Sequence, residues 1–393
     1  MISKSQAEDQ KPRQSRLWQK RRPLLQWLDL ELTERCNLDC QHCCVNLPAL
    51  DTRAREKELS SAGIKNILEQ AADLGCLTVR FTGGEPLLRD DFAELYTFAR
   101  RLGMKVVLFT NATLVTPQLA ELFHKIPPLE KIEVTIYGMR QSSYDAVTRT
   151  PGSFAAAQRG IALLLAGRVP LAVKSALLPA NQAEKNEFEA WAVRTIPGME
   201  KPFTYAMFFD LRSRRDSPAK NRLIRSLRPS SLDGLAFLSA KKDEYIKEMK
   251  RFCPANLAVH HDCLFTCNAG LGNVSIDAYG VFQACLLLRH PDTVVGPGGC
   301  TLEEALIDFF PKLHKKKAKN PEYLRRCASC FLHGLCEQCP AKSWLEHGTL
   351  DTPVDYFCEI AQIQARFLGL LKGNEKPWDV PDWRERIARF ARS

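Results

Sequence analysis

The chain has 393 residues, enough for a large buried core and for two or three domains. Hydrophobic residues at 45% and charged residues at 25% are ordinary for a globular protein, and no apolar run reaches the length of a membrane-spanning helix. The net charge of +10 admits an acidic partner, but no motif interleaves aromatic with basic residues, so a solvated basic surface is expected rather than a nucleic-acid site.

Residues 1–24 read as a polar, basic N-terminal tail with its densest charge at Lys20-Arg21-Arg22. They lack the apolar core of a secretory signal, so a cytoplasmic protein is expected. In a reducing compartment fifteen cysteines argue for metal or redox chemistry rather than disulfides.

Between residues 25 and 211 strand-like and helix-like patterns alternate. The strand-like runs are Gln26–Thr33, Leu77–Thr82, Lys105–Thr110, Lys131–Tyr137, Leu171–Leu178 and Phe203–Leu211. Between them, Ile64, Ile67, Leu68 and Ala71 keep the spacing of one helical face, as do Phe92, Leu95, Ala99 and Leu102. Leu119, Leu122, Phe123 and Ile126 repeat it, with Thr116 as N-cap and Pro117 at the first helical position. Phe154, Ala157, Ile161 and Leu164 follow with Ser153 as cap, and Asn181 with Glu184 suggests a capping box before the next helix. This alternation predicts an α/β fold, a parallel sheet rolled into a full or partial barrel with helices outside. Strands buried on both faces are usually apolar throughout. Here Leu28, Leu30 and Leu32 alternate with Asp29, Glu31 and Thr33, which predicts a polar inner face and an occupied interior.

Straight after the first strand stand Cys36, Cys40 and Cys43, spaced C-x3-C-x2-C. A compact loop can turn three thiolates toward one point, and thiolates suit iron–sulfur clusters, zinc or copper(I). Zinc completed by Cys44 or His42, and buried unliganded thiols, are the alternatives for this loop alone. Gly83-Gly84-Glu85 follows the second strand and Thr110-Asn111 the third, placing candidate binding groups at the C-terminal strand ends, where active sites of such barrels gather. Residues 212–250 read as a connector with a helix over Leu232–Met249. From 251 to 360 the chain is rich in cysteine, with Cys327-x2-Cys330-x5-Cys336-x2-Cys339, a Gly280-x4-Cys285 unit, and a hairpin around Gly280. C-x2-C-x5-C-x2-C also suits zinc ribbons. Residues 361–393 read as a helical tail, its amphipathic run Trp378–Phe390 expected to pack on the barrel.

The cysteine loop and the Gly-Gly-Glu segment resemble the radical SAM enzymes, and the second cysteine region resembles the SPASM extension carried by many of those that act on peptides and proteins. The resemblance implies a partial (β/α)6 TIM-like barrel followed by a small iron–sulfur SPASM domain. It implies a [4Fe–4S] cluster on Cys36, Cys40 and Cys43 whose fourth iron takes S-adenosyl-L-methionine, with Gly83, Gly84, Glu85, Asn111 and Thr135 binding that cofactor. Glu85 would meet the methionyl amino group. Lys174 is a weaker candidate for the methionyl carboxylate, and His42 for stacking near adenine. The same resemblance implies two auxiliary [4Fe–4S] clusters, the first on Cys267, Cys285 and Cys339 with Cys263 as the best fourth ligand or an open iron, the second on Cys327, Cys330, Cys336 and Cys358. Cys44, Cys76, Cys253 and Cys300 match no ligand slot. The implied activity is cleavage of S-adenosylmethionine to a 5′-deoxyadenosyl radical that takes hydrogen from a peptide or protein, with a low-potential donor such as flavodoxin or ferredoxin. Tyr137 and Asp210 are candidates near the cavity mouth. Residues 1–24 are too few for the leader-binding domain that many peptide maturases carry at that end, so either a separate partner supplies it or the substrate is of another kind. The sulfatase-maturing branch is a rival, but it places an acidic residue directly after the G-x4-C cysteine, where this chain has Leu286. Tetrapyrrole side-chain chemistry is another rival, and a zinc-stabilised RNA-binding module the remote one.

Overall fold

The computed structural model describes residues 23–200 and 205–393. The expected tail lies almost wholly outside these residues, as does the start of the expected sixth strand.

Six parallel strands form the central sheet in chain order: β1 (Trp27–Thr33), β2 (Thr78–Gly83), β3 (Lys105–Thr110), β4 (Leu129–Thr135), β5 (Leu171–Ala176) and the short β6 (Tyr205–Ala206). Helices Ser61–Asp73, Phe92–Arg101, Pro117–Lys125, Ser153–Ala166 and Lys185–Thr195 cover the outer face. The period-two reading holds at β1: Leu28, Leu30 and Leu32 are fully buried against the helices. On the other face Asp29 pairs with Arg80 at 2.6 Å, and Lys174 with Glu133 at 3.2 Å. These ion pairs flank the ring of Phe109, which both cations overlie. The sheet is thus the wall of a partial barrel with helices outside and a polar interior.

The sheet continues past β1. Strand β7 (Asn273–Ile276) lies parallel to β1, with Leu28 opposite Val274, and turns back through β8 (Phe282–Gln283) to β9 (Val294–Val295). Gly280, at φ +82°, makes that hairpin turn as expected. The cysteine-rich region therefore shares both a sheet and the main hydrophobic core with the barrel.

A buried ionic network locks this junction. Arg289 donates to both oxygens of Glu31 at 2.8 and 2.7 Å and to Glu34 at 2.5 Å. Arg214, from the connector, donates to Glu34 at 2.7 Å and to Asp277 at 2.8 Å, and the Tyr279 hydroxyl donates to Glu34 at 3.0 Å. Barrel, connector and hairpin are tied by charges that burial would penalise heavily if unpaired.

Several local expectations are corrected. The expected helix Leu232–Met249 is two helices, Ser231–Leu238 and Lys242–Asn256, the second starting afresh after Ser239-Ala240. Asn181 and Glu184 form no capping box: Asn181 donates to the carbonyls of Tyr137 and Ala176, while Glu184 accepts from Met139 and Ser143. Ser153 is the first residue of its helix, not the cap; Gly152 holds that place, and the Ser153 hydroxyl donates to Asp145. Thr116 does cap the helix at Pro117. The C-terminal helix Trp383–Arg392 packs on Lys242–Asn256 and a separate apolar cluster around Phe331 and Leu370, not on the barrel core. Among the described residues no helix is long and apolar enough to cross a membrane.

Candidate active site

The loop after β1 is held by backbone and side-chain bonds that leave its sulfurs inward. Arg35–Cys36 pairs as a two-residue ladder with Leu47–Pro48. The N–H groups of Asp39 and Gln41 donate to the carbonyls of Thr148 and Val147, each at 3.0 Å. Lys220 donates to the Cys40 carbonyl at 2.7 Å, and Arg212 to that of Asn46 at 2.9 Å.

Cys36, Cys40 and Cys43 line one cavity of about 160 Å³ with Thr82, Gly83, Gly84, Thr110, Asn111, Thr135 and Tyr137. The ends of β1 to β4 thus meet at one place, and four of the five expected cofactor-binding residues, Gly83, Gly84, Asn111 and Thr135, face it. Asn111 donates to Asn37 at 2.9 Å, which anchors the cysteine loop to the end of β3. Glu85 is not among the residues that line this cavity. It is fully buried, and its carboxylate accepts from the Thr110 hydroxyl at 2.8 Å, the Asn111 N–H at 2.8 Å and the Leu87 N–H at 3.1 Å. These bonds fasten the β2 loop to the β3 loop, and burial pushes its carboxyl up to about 7. Lys174 lies deeper in the barrel, on Glu133 and the Phe109 ring, with burial lowering its pKa to about 8. His42 is wedged between Tyr137 and Phe209, at 5.3 and 4.9 Å between ring centroids, and burial lowers it to about 4. Asp210 is engaged by Lys342 at 2.5 Å.

The glycines are required by contact. A Cβ on Gly84 would sit 2.1 Å from the Arg35 carbonyl oxygen, and one on Gly83, at φ +121°, 2.1 Å from that of Thr33. The β2 loop presses on the backbone that leads into Cys36.

The donor set fits a cationic cluster. Burial pushes Cys40 up to about 12 and Cys36 above its usual range, and the neighbouring cysteines push each further. Buried thiolates side by side repel one another, and metal coordination is what reverses that preference. Two further sets recur downstream. Burial pushes Cys285 up to about 12, with Cys339 and Cys267 adding to it. Cys263 has a contact of its own, its sulfur accepting from Lys317 at 3.2 Å. Cys327, Cys330, Cys336 and Cys358 line a small apolar cavity of about 20 Å³ with His333 and Trp378. Among the described residues no three His, Cys, Asp or Glu side chains converge as ligands of one metal ion; a cubane spreads its ligands over separate irons. Cys76 and Cys253 are buried in apolar clusters, as expected of structural thiols. Arg289, Arg214 and Asp277 were not foreseen; the signal was the carboxylate of Glu31 on an inward face, which demands a cation.

Residues 30–185 match the family model described as the Radical SAM superfamily. Fe-coproporphyrin III synthase of Methanosarcina barkeri is 33% identical over 141 residues, 36% of this chain and 33% of its own length. PqqA peptide cyclase of Xanthomonas euvesicatoria pv. vesicatoria is 34% identical over 171 residues, 43% of this chain and 42% of its own. The chain thus spans a third to under half the length of these curated relatives. Among solved structures, Streptococcus suis SuiB bound to S-adenosylmethionine superposes with TM-score 0.60 at 16% identity, covering 87% of this chain and 79% of that one. Native anSMEcpe with bound AdoMet gives TM-score 0.60 at 13% identity, covering 93% and 99%. These two likenesses concern the fold.

Proposed function

We propose that this chain, whose residues 30–185 match the Radical SAM superfamily model, is a radical SAM enzyme that acts on a peptide or protein side chain. Cys36, Cys40 and Cys43 would hold a [4Fe–4S] cluster and leave one iron for the amino and carboxylate groups of S-adenosylmethionine. When bound, this pair supplies one-electron cleavage of the sulfonium and a 5′-deoxyadenosyl radical that takes a hydrogen atom from substrate. The chain's part is to bind, orient and exclude water. Gly83 and Gly84 let backbone approach the cofactor; Asn111 and Thr135 offer hydrogen bonds; Glu85 holds the loops carrying them. The carrying observation is the single cavity shared by the three sulfurs and the ends of β2, β3 and β4.

Auxiliary [4Fe–4S] clusters on Cys267, Cys285 and Cys339, with Cys263 as fourth ligand or an open iron, and on Cys327, Cys330, Cys336 and Cys358 complete the reading. A low-potential donor of flavodoxin or ferredoxin type would supply the electron. Relatives named for peptide cyclisation, and fold neighbours solved with the precursor peptide SuiA or with the Cp18Cys peptide, support a peptide substrate. A second reading, tetrapyrrole chemistry, is favoured by relatives named Fe-coproporphyrin III synthase and AdoMet-dependent heme synthase. Formylglycine formation is disfavoured by Leu286 after Cys285. Release of 5′-deoxyadenosine by the reconstituted enzyme, measured with candidate peptides and with porphyrins, separates the readings. Stimulation by peptides supports the proposal; stimulation by porphyrins alone refutes it.

A further inference from the structure

Cys358 differs from the other cysteines around the small cavity in what its sulfur receives. It lies in the helix Asp355–Phe367, and Gln362, one turn on, donates Nε2 to Sγ at 3.2 Å. Arg326 donates a guanidinium N–H to the same sulfur at 3.4 Å. The guanidinium is held in place: it also donates to Asp355 at 2.8 Å and to Glu322 at 3.3 Å, and the Trp378 ring lies 5.2 Å from its central carbon. Its Nε is buried without a partner. Trp378 and Pro377 come from the C-terminal segment and wall the cavity, and Arg366 fixes that segment by donating to the carbonyls of Gly373 and Glu375. By contrast, the sulfurs of Cys36 and Cys40 receive hydrogen bonds from the Leu38 N–H, Asn111 and Tyr137, none of them cationic.

We infer that Arg326, with Gln362, sets the reduction potential of the second auxiliary site, holding it above the value its four thiolates alone would give, with the 377–378 segment as its cover. The inference rests on the reading of Cys327, Cys330, Cys336 and Cys358 as cluster ligands. Reduction adds negative charge to a cluster and its thiolates. A cationic N–H on one sulfur stabilises that added charge, so the reduced form gains. The Arg326 side chain is only 15% exposed, so although Glu322 and Asp355 share its charge, its partial burial strengthens what reaches the sulfur. Arg326 is a positioning residue here; it touches a ligand, not the substrate.

The test is an anaerobic redox titration followed by electron paramagnetic resonance. It uses the full-length reconstituted chain in a Cys36→Ala/Cys40→Ala/Cys43→Ala background, which silences the N-terminal signal. Arg326→Gln is expected to shift one midpoint potential to a lower value and leave the other in place. Arg326→Lys should retain most of the parent value, and Gln362→Leu should shift the same signal in the same direction by less. Both potentials unchanged in Arg326→Gln at full iron content would overturn the inference. If that variant loses iron, Gln362→Leu and Arg326→Lys decide on the same criterion. Failure of the underlying reading looks different: iron content would not fall when Cys330 and Cys336 are replaced.

Discussion

Substituting Gly84 by alanine puts a single carbon where the structure has no room. The new Cβ would lie 2.1 Å from the Arg35 carbonyl oxygen, 2.6 Å from its carbon and 2.7 Å from the Glu34 oxygen. Real Cβ contacts stay above 3.0 Å, so the two backbones must part by about 0.9 Å. The displaced side cannot yield freely. Arg35 is pinned by Glu58 at 2.8 and 3.0 Å, and its carbonyl accepts from the Glu85 N–H at 2.9 Å. The displacement therefore falls on Cys36, the next residue, and on the cavity wall opposite it. A misplacement of about 1 Å at a reacting centre costs roughly 100-fold in rate. Gly84→Ala is expected to lower 5′-deoxyadenosine formation by about that factor. The assay is single-turnover chromatography under excess reductant, with iron content measured on the same sample. Gly296→Ala, where an added Cβ meets nothing within 4 Å, should behave as the parent. A Gly84→Ala enzyme with the parent's rate and iron content would refute the claim that this contact positions Cys36.

Cys40→Ala should abolish deoxyadenosine formation and lower iron from about twelve to about eight atoms per chain if three cubanes form, read by iron and sulfide analysis. Arg289→Leu leaves Glu31, Glu34 and Asp277 buried beside one another with only Arg214 to balance them; a loss of about 3–5 kcal/mol is expected in thermal melts. Burial already lifts the Glu31 carboxyl to about 7, so the variant should regain stability as pH falls and these groups take up protons. Glu85, held near 7 in the folded state against an ordinary 4.5, makes the fold keep a proton that the unfolded chain releases. Its contribution is full below the unfolded value and is lost as pH rises through 7, by ~3 kcal/mol. Glu85→Gln should flatten that slope in melts between pH 5 and 8; equal slopes in parent and variant would contradict it.

What could be read from the sequence was local and periodic. Alternation in β1, the helical faces around Ile64 and Phe92, the Thr116 cap and the Gly280 turn all depend on neighbours within a few residues, and the structure has them. What escaped depends on partners far along the chain. The parallel pairing of Asn273–Ile276 with β1 joins segments nearly 250 residues apart and leaves no periodic trace. The amphipathic C-terminal run declares an apolar face but not which surface covers it. Asn181 and Glu184 have capping-box spacing, yet the carbonyl of Tyr137 and the N–H of Met139 compete for their side chains and win. At the candidate site, the lining residues followed from motif and strand order. The bonds that hold Glu85 did not, because its three donors lie on two different loops that only the fold brings together.

The most direct measurement takes the anaerobically purified, reconstituted chain, counts its metals, and assays S-adenosylmethionine with a strong reductant. The account predicts iron with acid-labile sulfide, and 5′-deoxyadenosine that disappears when Cys36, Cys40 or Cys43 is replaced. Stoichiometric zinc without iron, or an iron-loaded protein that leaves the sulfonium intact, would contradict it.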